Sequence, residues 1–104
     1  MPMRSAVANE AGIDRRVNRA ARKLAPDVVR IRYALTSNST GQDSIFFRVM
    51  LSDDASRENR LQEVTERIEA ELLKAISFDE FGLYQYFDYR SRAEQAALRE
   101  QAWS

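Results

Sequence analysis

The chain of 104 residues contains no cysteine and no histidine. The first absence removes disulfide frameworks and thiol nucleophiles. Together the two remove Cys/His zinc sites and every catalytic scheme that needs an imidazole base. Lysine is nearly absent as well: Lys23 and Lys74 both fall in helical, polar surroundings, which gives no support for an activated amine nucleophile. Glycine occurs three times, and Gly41 is not followed by Lys-Ser/Thr, so there is no P-loop. No run approaches the roughly 18 apolar residues of a membrane span. The opening MPMRSAVANEAGIDRR lacks the apolar stretch of a secretory signal, and a cytoplasmic protein without a membrane partner is expected. An excess of one charge is also missing, since sixteen Lys plus Arg balance sixteen Asp plus Glu. The acidic pairs Asp53/Asp54 and Asp79/Glu80 lack the spacing of a calcium loop or a two-metal site, and helix capping accounts better for the first pair. With nucleophile, base and oxyanion donors unassembled, neither catalysis, a cofactor nor a metal is expected.

The remaining composition is that of a folded domain. Hydrophobic residues at 44% and charged residues at 31% lie outside the signature of disorder, and the length suits one domain over 1–104. Residues 1–11 read as a flexible N-terminal arm. Apolar positions Ile13, Val17, Ala20, Ala21 and Leu24 keep the helical period until Pro26 stops it. Strand-like alternation follows over Val28–Thr36, a polar turn over Ser37–Asp43, and a second strand over Ile45–Leu51, together a hairpin. Ser52, Asp53, Asp54 and Ser56 offer caps for a second helix. Its stripe is Leu61, Val64, Thr65, Ile68, Leu72, Ala75 and Ile76, with Arg60, Glu63, Arg67 and Lys74 toward solvent. After SFDEFG, the aromatic run Leu83–Tyr89 reads as a third strand. Ser91 and Glu94 form a capping-box pattern that opens a C-terminal helix and tail over 91–104.

The order α-β-β-α-β-α predicts an α+β fold, a two-layer α/β sandwich. A small three-stranded, mostly antiparallel sheet would carry its helices on one face. The crossover through helix two leaves two places for strand three: parallel beside strand two, or antiparallel beside strand one. The second place would give a ferredoxin-like arrangement missing one strand, and the same order occurs in type II KH-like and related small domains, a likeness of topology alone, because no Gly-x-x-Gly loop is present.

The hairpin is patterned on both sides. Opposite Val29, Ile31, Tyr33 and Leu35 with Ile45, Phe47, Val49 and Leu51 lies a second face of Arg30, Arg32, Ala34, Phe46, Arg48 and Met50. Strand three extends it with Tyr84, Tyr86 and Asp88 or with Leu83, Phe87 and Tyr89. Such a face can bury itself against another protein, bind RNA by stacking and phosphate neutralisation, or be covered by the chain's own terminal helix. Neutral overall charge and Asp88 favour protein contact, with Arg30, Arg32, Phe46, Arg48, Met50, Tyr84, Tyr86 and Trp103 as interface candidates. Trp103 fits either docking on its own core or insertion into a partner. The neutrality hides a split. Residues 1–34 hold eight basic positions against three acidic ones, and helix one places Arg15, Arg16, Arg19, Arg22 and Lys23 off its apolar stripe as possible nucleic-acid contacts. Glu58, Glu63, Glu66, Glu69 and Glu71 on helix two could meet that basic helix from a second subunit, which would favour a homo-oligomer. The leading expectation is a small non-enzymatic interaction module that self-associates through its Arg/aromatic face and C-terminal helix. An RNA-binding or ribosome-associated module is the alternative.

Overall fold

A computed structural model describes residues 10–103. The elements are α1 (Glu10–Leu24), β1 (Val28–Ser37), β2 (Asp43–Leu51), α2 (Glu58–Ala75), a one-turn α3 (Phe78–Phe81), β3 (Tyr84–Ser91), α4 (Arg92–Leu98) and a 3-10 turn (Gln101–Trp103). Most of the expected N-terminal arm lies outside the described residues, and positions 10 and 11 already belong to α1.

The sheet order is β1-β2-β3. β1 pairs with β2 antiparallel, Tyr33 opposite Phe47. β2 pairs with β3 parallel, Phe47 opposite Phe87. One of the two pairings is therefore parallel, and the place beside β1 is not taken. The cause is α2, which carries the chain back along the sheet so that β3 enters in the direction of β2. β2 becomes the central strand, and all nine of its residues are at least partly buried.

The core lies between one sheet face and two helices. Ile13, Val17, Ala20 and Leu24 of α1 and Val64, Ile68 and Leu72 of α2 meet Ile45, Phe47, Val49 and Leu51 of β2. On the edge strand β1, Ile31, Tyr33 and Leu35 are only partly buried. The hairpin turn closes on Asn38, whose Oδ1 accepts from the N–H groups of Thr40 and Gln42 at 3.0 and 2.9 Å. Gly41 at φ 82° takes the left-handed position that a side chain would strain.

Four details of the helices depart from the sequence pattern. Ser52–Ser56 folds into a separate turn, the Ser52 hydroxyl accepting from the Ala55 N–H at 3.1 Å, because Ala55 is drawn fully into the core. α2 consequently starts from Arg57, which provides no side-chain cap. Leu61 is 39% exposed, one turn too early to reach the sheet. SFDEFG contains α3, capped by the Ser77 hydroxyl and closed by Gly82 in the left-handed conformation. Finally, the helices do not all share one face. The capping box of Ser91 and Glu94 forms as read, yet α4 buries no residue, and it leads Trp103 onto the opposite side of the sheet.

Candidate functional site

The register arranges that opposite side in four rows across β1, β2 and β3. They are Arg30-Met50-Arg90, Arg32-Arg48-Asp88, Ala34-Phe46-Tyr86 and Thr36-Ser44-Tyr84. On β3 the other residues face inward: Gln85 donates to the carbonyls of Leu72 and Ile76 at 3.3 and 2.6 Å, and the Tyr89 hydroxyl donates to Glu69 at 2.7 Å. Burial first, and the Glu69 carboxylate second, push that hydroxyl far above the usual tyrosine range. Tyr84, Tyr86, Asp88 and Arg90 therefore form the outer set, the first of the two phases the sequence allowed.

One end of the outer face is closed by the chain itself. The Arg90 guanidinium stacks over the Trp103 ring at 4.6 Å, pairs with Glu100 at 2.6 Å and donates to Gln95 at 3.1 Å. Trp103 is 4% exposed and Met50, beside Arg90 in register, 3%. Both were candidates for contact with a partner. The structure buries them within the chain, because the 3-10 turn after α4 folds the indole back onto β3. Arg30 leans on the Met50 sulfur at 3.9 Å at the same end.

The other end is open. Phe46 and Tyr86 stack with centroids 4.8 Å apart and planes 15° apart, and Asn38 Nδ2 holds the Tyr86 hydroxyl at 3.0 Å. Tyr84 and Tyr86 are each 40% exposed, and Phe78 tilts against Tyr84 at 5.0 Å with half its surface in water. A shallow cavity of about 110 Å³ lies along the Phe46-Arg48 and Tyr86-Asp88 segments. Arg48 and Asp88 are neighbours across β2 and β3, yet no ion pair joins them. Arg32 completes their row on β1.

The basic residues of α1 are not a uniform ridge. Arg16 grips the Glu80 carboxylate with two bonds at 2.8 and 3.0 Å, donates to the Ala75 carbonyl at 3.2 Å and lies over Phe81. Lys23 pairs with Glu71 at 3.3 Å. The complementarity of the basic and acidic helices, expected between subunits, is thus met in part inside one chain, because the two helices lie side by side on the same sheet face. Arg15, Arg19 and Arg22 remain exposed.

A third cluster had no counterpart in the sequence reading. Asp27, 7% exposed, receives both guanidinium nitrogens of Arg60 at 3.1 and 2.9 Å and one of Arg67 at 2.6 Å, while Arg60 also reaches Asp54 at 2.6 Å. The Arg60 hydrogen bonds lead the causes that hold the Asp27 carboxyl below the usual range, against the opposing effect of burial. These two arginines stand one heptad apart on one face of α2, the signal that could have flagged a waiting carboxylate. The acidic pairs serve the fold: Asp53 accepts the Ala93 N–H of α4 at 3.0 Å, and Glu80 holds Arg16. Among the described residues no three Asp or Glu converge where a metal could be held.

No family model and no curated protein matches the sequence. Two solved structures resemble it in fold, both variants of the MamM CTD. At TM-scores of 0.52 and 0.53 they align over 81% and 82% of this chain and 98% of their own, with 11% of residues identical. The chain shares their fold. That likeness places it among ferredoxin-like α+β domains, in agreement with the order read from the sequence. Among the described residues no helix is long and apolar enough to cross a membrane.

Proposed function

We propose that this chain is a non-enzymatic interaction module that self-associates by laying the open half of its outer sheet face against the same face of a second copy. The observation that carries the reading is the Phe46-Tyr86 stack, half-buried at Phe46 and exposed at Tyr86, beside an Arg48 and an Asp88 that no ion pair joins. In a two-fold contact each patch meets itself, so Arg48 of one copy comes opposite Asp88 of the other. Stacked aromatics supply the apolar centre, and the crossed charges fix the register. A net charge of zero leaves no long-range repulsion between copies. The closed half has its own indole in place, which directs the contact to the Phe46 end.

Light-scattering mass across a gel-filtration peak tests the reading, with the 260 to 280 nm absorbance ratio recorded in the same run. The expected result is a protein-only dimer that becomes a monomer in Phe46→Glu and in Tyr86→Glu, with unchanged circular dichroism. Arg48→Asp and Asp88→Arg should each weaken the dimer, and the double swap should restore it. A monomeric parent chain at high concentration, or a dimer indifferent to all four changes, overturns the proposal.

A further inference from the structure

On the other layer of the molecule, Arg15, Arg19 and Lys23 stand in one column of α1 at four-residue steps, a spacing at which like charges repel. The column borders two clefts of about 240 and 380 Å³ that adjoin at Arg16 and Arg19, walled by Lys74 of α2 and by α3, and together they are treated as one groove. Five cations line it against two carboxylates, a local excess of three positive charges in a chain whose net charge is zero. Both carboxylates are already engaged: Glu80 is clamped by Arg16, and Glu71 lies between Lys23 at 3.3 Å and Lys74 at 3.8 Å. Between them Arg19 borders both clefts and has no hydrogen bond or ion pair among the described residues.

We propose that this groove binds an oligophosphate, a small ligand bearing two or more linked phosphoryl groups. Guanidinium forks match phosphoryl oxygens in pairs, and a ligand spanning the column would relieve its mutual repulsion. From Arg15 to Lys23 the helix rises about 12 Å, a length that rewards several linked anions over one. The groove offers little to other anionic partners. Its aliphatic lining is Ala20 and Ala75, too small to seat the anchoring side chain of an acidic peptide. Its one aromatic ring, Phe81, is 9% exposed beneath the Arg16 guanidinium, so a nucleic-acid base has no platform to stack on.

The test is a titration of the isotope-labelled protein with inorganic tripolyphosphate at low ionic strength, followed by NMR. Saturable shifts confined to α1, the C-terminal end of α2 and α3 are expected, with affinity about tenfold weaker in Arg19→Gln. Arg22→Gln, on the same helix outside the groove, should bind as the parent does. No saturable binding at millimolar ligand, or equal weakening by both variants, overturns the site. Tighter binding of a poly-glutamate peptide or of oligothymidylate than of tripolyphosphate overturns the ligand class. The groove lies on the helical layer, so this result and the outcome of the sheet-face test are independent.

Discussion

Phe46 and Phe47 are adjacent on β2, and each stacks on the aromatic residue opposite it in β3. Phe46 lies 4.8 Å from Tyr86 with planes 15° apart, Phe47 5.4 Å from Phe87 with planes 18° apart. The local geometry is nearly the same, yet Phe47 is 1% exposed while the Phe46 stack ends in a tyrosine with 40% of its surface in water. What separates the two stacks is coverage. Helices α1 and α2 seal the inner face, whereas the tail seals only the Arg90 end of the outer one. A stack under two helices contributes to the stability of one chain, and a stack left in water is available to a second.

The sharpest way to break that comparison is to truncate both rings. Phe47→Ala leaves a cavity at the centre of the core and should destabilise the chain by about 3–5 kcal/mol in urea unfolding, enough to threaten a domain of this size. Phe46→Ala, measured on monomer at low concentration, should cost less than about 1.5 kcal/mol, since water already reaches its stack. Equal losses would mean that the outer stack belongs to the core of the monomer, and the distinction between the faces would fall.

Asp27 gives the next largest effect and the polar version of the same contrast. Its carboxylate is sealed among Arg60 and Arg67, whereas Arg48 and Asp88 lie on the open face. Asp27→Asn removes a charge-assisted acceptor from three bonds and should cost about 2 kcal/mol at neutral pH. The pH dependence has a definite sign. A carboxyl whose folded pKa is lowered stabilises above its unfolded value, near 4, and loses that contribution as pH falls through the folded value. Acid unfolding should therefore begin at higher pH where the carboxyl is held less firmly, as in Arg60→Gln, and Asp27→Asn should flatten the acid limb. An unaltered limb in Asp27→Asn would show that the cluster contributes nothing to acid sensitivity.

Trp103→Ala probes the boundary between the closed and open halves of the outer face. Because α4 buries no residue of its own, the tail can come away without unfolding the sheet, and the loss is limited to the free energy of docking it, about 1–2 kcal/mol. Hydrogen exchange should quicken in α4 and leave β2 protected. Quickened exchange throughout β2 would instead make the tail part of the core.

The order of the main elements, the faces of the hairpin beyond a bulge between Val28 and Arg30 that puts Val28 rather than Val29 in the core, and the capping box were legible because each depends on neighbours a few residues away. Period two fixed which of Phe46 and Phe47 turns inward, and Ser91 and Glu94 are three residues apart. What was not legible depends on distance along the chain. Asp27 meets Arg60 and Arg67 from 33 and 40 residues away: the heptad spacing of the two arginines signals a shared acceptor, but nothing local says which carboxylate supplies it. Likewise, the periodic pattern of Leu61 could not show that the turn before α2 folds inward on Ala55 and leaves that leucine beyond the sheet. Trp103 was readable as a residue needing a dock. That the dock is Arg90 of its own chain follows only from where α4 aims the tail.

The smallest effect separates two serines that the sequence presents alike as caps. Ser91 accepts the Glu94 N–H at 3.0 Å while Glu94 accepts the Ser91 N–H at 2.7 Å, so Ser91→Ala should cost about 1 kcal/mol. Because the box holds α4, the loss should appear as faster exchange in α4 and the tail. Ser52→Ala removes a bond to the Ala55 N–H in the turn that precedes α2, so it should leave exchange in α2 as it was and loosen the seat of Ala55 instead. If Ser52→Ala frays the first turn of α2, the turn acts as a cap after all. The turn would then make good the absence of side-chain capping at Arg57, whose carbonyl already takes the first-turn N–H of Arg60 at 2.9 Å.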